Sequence, residues 1–218
     1  QTSSIAAPAP ALSARPCFIA TRSIRSVTIS FVTSQNVTAS VASGGGAVSG
    51  ATATTNAQGD ATFATLSIDG VTGNRTLRFS ADQVTASTGT IALAAGDAAE
   101  LRVTSQPTVV QNTLPFPSAV QVRVTDRFGN GVSDASRGVA ASIASGGGVL
   151  LGATSQTDAV GVASFPALRL IGAAGPRTLA FTTAGLTSAT SAAIQLDAGP
   201  PRFVAFFQQP SGSITVGV

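Results

Sequence analysis

The chain has 218 residues with a net charge of +3, and its twelve basic residues are all arginine. Charged residues make up 10% of it, where about 25% is usual in soluble proteins. With one cysteine and no histidine, neither a Ser-His-Asp or Cys-His centre, nor a zinc site, nor an internal disulfide can be assembled from side chains.

The arginines are scattered from Arg15 to Arg202 without a basic run, so no surface is marked out for a row of phosphates and nucleic acid is excluded as a partner. Ser, Thr, Gly, Arg or Asp interrupts every apolar stretch before it reaches the roughly 20 residues that span a bilayer. A chain that opens on Gln1 is read as a secreted protein whose signal peptide has been removed, or as a fragment.

In chain order, residues 1–16 (QTSSIAAPAPALSARP) carry three prolines and lack the alternating apolar residues of a strand. Cys17 follows, read as a small buried thiol or as an intermolecular link. From Val41 onward the chain repeats itself at a shift of 102 residues. Val41 to Gly46 (VASGGG) returns as IASGGG from Ile143 to Gly148, and NAQGDATFATLSI from Asn56 returns as DAVGVASFPALRL from Asp158. GNRTLRF from Gly73 returns as GPRTLAF from Gly175; after one inserted residue, TIALAAG ending at Gly96 returns as AIQLDAG ending at Gly199.

Within each repeat the apolar positions alternate as strands require, at Val120, Val122 and Val124 or at Leu77 and Phe79. Turn signals separate these runs: Asp126 to Asn130 (DRFGN), the triple glycines, and Ala57 to Gly59. No stretch has helical periodicity, so the fold class is all-β with antiparallel sheets, two tandem sandwiches of about 100 residues each. The triple glycines precede neither Lys-Ser nor Lys-Thr and read as tight connections between sheets. Asp60, Asp69, Asp97, Asp126, Asp134 and Asp158 read as turn formers, with no D-x-D-x-D-G calcium loop among them. Neither a catalytic residue, a metal nor a cofactor is expected.

The second repeat has Gln106-Pro107 closing its opening strand, then Asp126 to Asn130, Ser145 to Gly148, Thr157 to Phe165 and Arg177 to Phe181. This pattern resembles the bacterial immunoglobulin-like repeats of the invasin and intimin type and their relatives in large surface proteins. The resemblance implies immunoglobulin-like sandwiches acting as spacers or adhesive stalks. The first repeat departs from the pattern, because Ile24 to Thr28 (IRSVT) stands where the shift of 102 residues would place DRFGN.

The domains are expected at 1–98, with the opening strand missing or degenerate, and at 99–199, complete. A shift of 103 residues then sets Gly199 to Pro210 on Gly96 to Pro107, so 200–218 is an orphan opening strand. Its apolar residues Phe203, Val204, Phe206 and Phe207, followed by Ile214, Val216 and Val218, would contribute on the order of 10 kcal/mol if buried. A sandwich short of a strand and a strand short of a sandwich complement each other. The sequence therefore predicts a bacterial extracellular filament in which each copy donates this strand to the first domain of the next, a heterologous and open-ended contact. The partner is the chain itself, with other surface components besides. The alternative is a stalk segment of a longer cell-surface adhesin. A carbohydrate-binding or hydrolytic module, the third class, would need a surface cluster of phenylalanines.

Overall fold

A computed structural model describes residues 28–30 and 34–201. They form strands and turns without helix, in two compact units. Unit 1 takes the residues up to 100 together with 124–134; unit 2 takes 101–123 and those from 135 onward.

In unit 1 the strands are β1 (Thr28–Ser30), β2 (Asn36–Ser43), β3 (Ala47–Ser49), β4 (Thr52–Thr54), β5 (Asp60–Thr62), β6 (Ser67–Asp69), β7 (Gly73–Ala81), β8 (Val84–Ser87) and β9 (Ile91–Leu93). One sheet runs β4-β2-β7-β8 with β9 also on β7, while β1 pairs β5 and β3 pairs β6. Arg75, Leu77, Phe79 and Ala81 alternate inward along β7, the period-2 pattern of a half-buried strand. Phe63, just beyond β5, meets Phe79 with ring centroids 5.2 Å apart.

The second repeat contributes β10 (Glu100–Ser105), β11 (Val109–Gln111), β12 (Val120–Thr125), β13 (Gly138–Ser145), β14 (Val149–Leu151), β15 (Thr154–Gln156), β16 (Val162–Phe165), β17 (Arg169–Ile171), β18 (Gly175–Thr182), β19 (Ala189–Thr190) and β20 (Ile194–Asp197). One sheet is β10-β12-β16, the other β11-β20-β18-β13-β15, with β19 on β18 and β14 paired to β17. Phe165 and Phe181, one from each sheet, stack tilted at 5.4 Å, and Val120, Val122, Leu168, Leu179, Ile194 and Leu196 are fully buried around them. Unit 2 is an immunoglobulin-like sandwich.

Two expectations need correction. The sheets are not wholly antiparallel, since β11 runs parallel to β20: the opening strand leaves one sheet after β10 and continues in the other. The repeat shift also breaks ahead of residue 34. Ile29 pairs Ala61 as Val122 pairs Ala163, so the strand residues lie 93 apart while their partners lie 102 apart. IRSVT thus runs into β1, the counterpart of β12, and the connection that follows is nine residues shorter than in the second repeat. The longer shift resumes at Ser34 and Ser136, both at positive φ (62° and 61°).

The turn signals are met. Asn56 Oδ1 accepts the N–H groups of Gln58 and Asp60, and Asp158 Oδ1 those of Val160 and Val162, with Gly59 and Gly161 at φ 84° and 78°. Each is an Asx turn that supplies its own backbone donors with an acceptor. Truncating the inter-sheet ring by Phe165→Ala is expected to lower the stability of unit 2 by about 3–5 kcal/mol, read from its chemical denaturation transition.

Candidate functional site

Arg75 and Arg177, two of the arginines scattered along the sequence, are each only 5% exposed. Arg177 donates through Nε to the carbonyl of Gly147 at 2.8 Å and through its terminal nitrogens to the carbonyls of Pro176 and Ala173. Arg75 donates through its terminal nitrogens to the carbonyls of Asn74 and Val71, while its buried Nε has no hydrogen-bond partner among the described residues. Backbone carbonyls therefore hold a buried cation, and they are what makes its burial tolerable. The triple glycines explain the space. A Cβ on Gly146 would lie 2.4 Å from Arg177 Cδ and 2.5 Å from the Pro176 oxygen, and one on Gly44 would meet Arg75 and Asn74 in the same way. The connections between sheets are thus lids closed over an arginine. The signal for this was legible in principle, as SGGG and G-x-R-T-L recur together in both repeats.

The Asp126–Asn130 loop belongs to unit 1. Asp126 Oδ1 accepts the N–H groups of Phe128 and Asn130, and Oδ2 accepts the Asn130 side-chain amide and the N–H of Gly96. Asn130 in turn accepts the N–H of Thr72 at 2.7 Å and donates to the carbonyl of Gly70 at 3.0 Å. Arg127 reaches Asp69 at 2.7 Å in an exposed pair that adds little. Burial works to raise the pKa of Asp126, but the amide of Asn130 and the N–H groups of Gly96, Asn130 and Phe128 outweigh it and hold the pKa below the ordinary aspartate value. The motif is a clamp as well as a turn.

Neither feature is a catalytic centre. Among the described residues no three His, Cys, Asp or Glu side chains gather as metal ligands, and no helix is long and apolar enough to cross a membrane. Phe128 is the one exposed phenylalanine among them, so they hold no aromatic platform for sugar. A groove of about 860 Å³ runs beside β10, lined by residues 101–106 with Ala189, Thr190 and Ala192. No carboxylate lines it.

The two repeats differ at one edge of the sandwich. In unit 2, β20 lies between β18 and β11, and its Ile194 and Leu196 are fully buried. Their counterparts on β9, Ile91 and Leu93, are only partly buried against the core of unit 1. Among the described residues no strand takes the place of β11 on the free edge of β9, and none takes the place of β10 beside β1. Both places are those that the opening strand fills in unit 2. The expected donor residues Phe203, Val204, Phe206, Phe207, Ile214, Val216 and Val218, with Cys17 and residues 1–16, lie outside the described residues.

No protein-family model matches the chain, and no curated protein matches it in sequence. Among solved structures it is similar to the D00-D0 domain of intimin, at 15% identity and a TM-score of 0.45, over 86% of this chain and 100% of that one. It is also similar to the D0-D1 domain of intimin, at 16% identity and a TM-score of 0.34, over 78% of this chain and 88% of that one. A glycosyl hydrolase family 2 member from Bacteroides cellulosilyticus matches at 15% identity and a TM-score of 0.40, over 79% of this chain and 23% of the hydrolase. The chain spans less than a quarter of that enzyme. These likenesses are distant, and the fold rests on the pairing and burial described above.

Two outcomes are expected. Gly146→Ala should cost unit 2 about 2–4 kcal/mol, positive φ and overpacking together, whereas Gly147→Ala, whose Cβ would meet nothing within 4 Å, should cost about 1 kcal/mol for its φ alone; parallel urea titrations compare them. Because the folded state lowers the pKa of Asp126, its stabilisation is complete above the value of an unfolded aspartate, about 3.9, and is lost as pH falls through the lower folded value. Asp126→Ala should cost about 3 kcal/mol at neutral pH and make the acid limb of a pH-stability curve shallower.

Proposed function

We propose that this chain is a structural, non-catalytic component of a bacterial extracellular assembly. Its sandwiches act as spacers, and residues 203–218 of one copy complete unit 1 of the next to build a filament. The observation that carries the reading is the incomplete burial of Ile91 and Leu93 where Ile194 and Leu196 are sealed. An edge of this kind leaves backbone N–H and C=O groups and core side chains without cover, and a donated strand supplies both. The segment from Phe203 suits the purpose, because its sequence follows that of the opening strand of unit 2. A secreted, cell-surface location and a homopolymeric partner belong to this reading.

A second reading has its own support. Unit 2 receives its opening strand from the stretch that directly follows β9 in the same chain, and Gly199 to Pro210 matches Gly96 to Pro107. On that pattern residues 200–218 open a further repeat of a surface adhesin stalk. Negative-stain microscopy of the chain beside a variant ending at Gly199 separates the two. Filaments from the full chain that disappear on truncation are the expected result; unassembled monomers from both would leave a serial spacer and overturn the filament.

A further inference from the structure

Resting on that proposed donation, we infer that one donated segment seals both sheets of unit 1, changing sheets at Gln209-Pro210 and entering parallel to β9 with Ile214 over Leu93. The template is unit 2. There β10 lies beside β12 in one sheet, Gln106-Pro107 follows, and β11 joins the other sheet parallel to β20. Proline suits the corner because it has no N–H to offer either ladder, and at the crossing none is called for. The Gln106 side chain fixes the corner by accepting the N–H of Ala192 at 3.0 Å.

Unit 1 has the matching acceptors. Ala86 pairs Phe79 as Ala189 pairs Phe181, and Leu77 N–H donates to Thr88 as Leu179 N–H donates to Ser191. The counterpart of Ala192 is therefore Gly89, where an added Cβ would meet nothing within 4 Å. Gln209, the counterpart of Gln106, accepts the N–H of Gly89. Phe203 to Phe207 then lies along β1 as β10 lies along β12.

The register of the second half follows from burial. Val109 and Val110 pair Gln195 and Leu196, and Val109 is 46% exposed while Val110 is 2% exposed. The counterparts of Gln195 and Leu196 are the exposed Ala92 and the half-buried Leu93. Counting from Pro210 as from Pro107 would put Ser213 into the core and strand its hydroxyl there. One additional residue in the corner sets Ser213 in the exposed position opposite Ala92 and Ile214 in the apolar one.

Cysteine pairing reads this directly. In a Cys17→Ser background, Ala92→Cys with Ser213→Cys places both thiols at exposed positions of neighbouring strands, within disulfide reach. On oxidation this variant should give a ladder of covalent dimers, trimers and longer species on a non-reducing gel. Ala92→Cys with Ile214→Cys, whose thiols face opposite sides of the sheet, should not. A ladder from the Ile214 variant instead, or filaments by microscopy with no cross-link from either variant, would overturn the register and leave strand donation standing. A fast-migrating, internally cross-linked monomer without filaments would overturn both, because the segment would then close on its own copy.

Discussion

The constraint on which this molecule depends is that every strand edge inside a sandwich has backbone donors and acceptors that must be met, and core side chains that must be covered. In unit 2 a single opening strand does this for both sheets: β10 completes one, β11 the other, with a proline between them. Val110 is 2% exposed in that arrangement, and Ile194 and Leu196 of β20 are fully buried beside it. Where the described part of unit 1 lacks the same strand, the consequence appears at once in the exposure of Ile91 and Leu93.

A chain so poor in charge stabilises its sandwiches by other means, and the two buried arginines show how. Each guanidinium spreads its charge over backbone carbonyls of the turn before its strand, β7 or β18, and that of Arg177 also over the Gly147 carbonyl of its glycine lid. The lids work only because glycine can adopt positive φ and leave room for the arginine stem. Asp126 plays the converse part, a buried carboxylate surrounded by N–H donors. In both cases neutral hydrogen-bonding groups, backbone carbonyls for the arginines and N–H donors with the Asn130 amide for Asp126, keep a charge in the interior with no opposite charge needed.

Much of the fold was legible because a repeat of this length with period-2 burial leaves few alternatives. The strands at Leu77 to Phe79 and Val120 to Val124, and the turns at Asn56, Asp126 and Asp158, stand where alternation and Asx chemistry place them. The nine-residue shortening after β1 was hidden, because a fixed shift slides IRSVT onto DRFGN, and the Ile29–Ala61 pairing across the sheet is needed to show the slip. The parallel course of β11 was hidden for a related reason: alternation tells which face is buried and is silent on strand direction.

The sequence by itself determined the all-β class, the repeat, the turn positions and the absence of histidine chemistry, all of which are properties of residue type and spacing. Only the tertiary structure decided that Arg75 and Arg177 are interior and that the Asp126–Asn130 loop is built into unit 1. The same is true of the partial burial of Ile91 and Leu93 on β9. Each of these depends on partners distant in the chain, Gly147 for Arg177, Gly70 and Thr72 for Asn130, β11 for β20, and local periodicity holds no record of contacts made at that range.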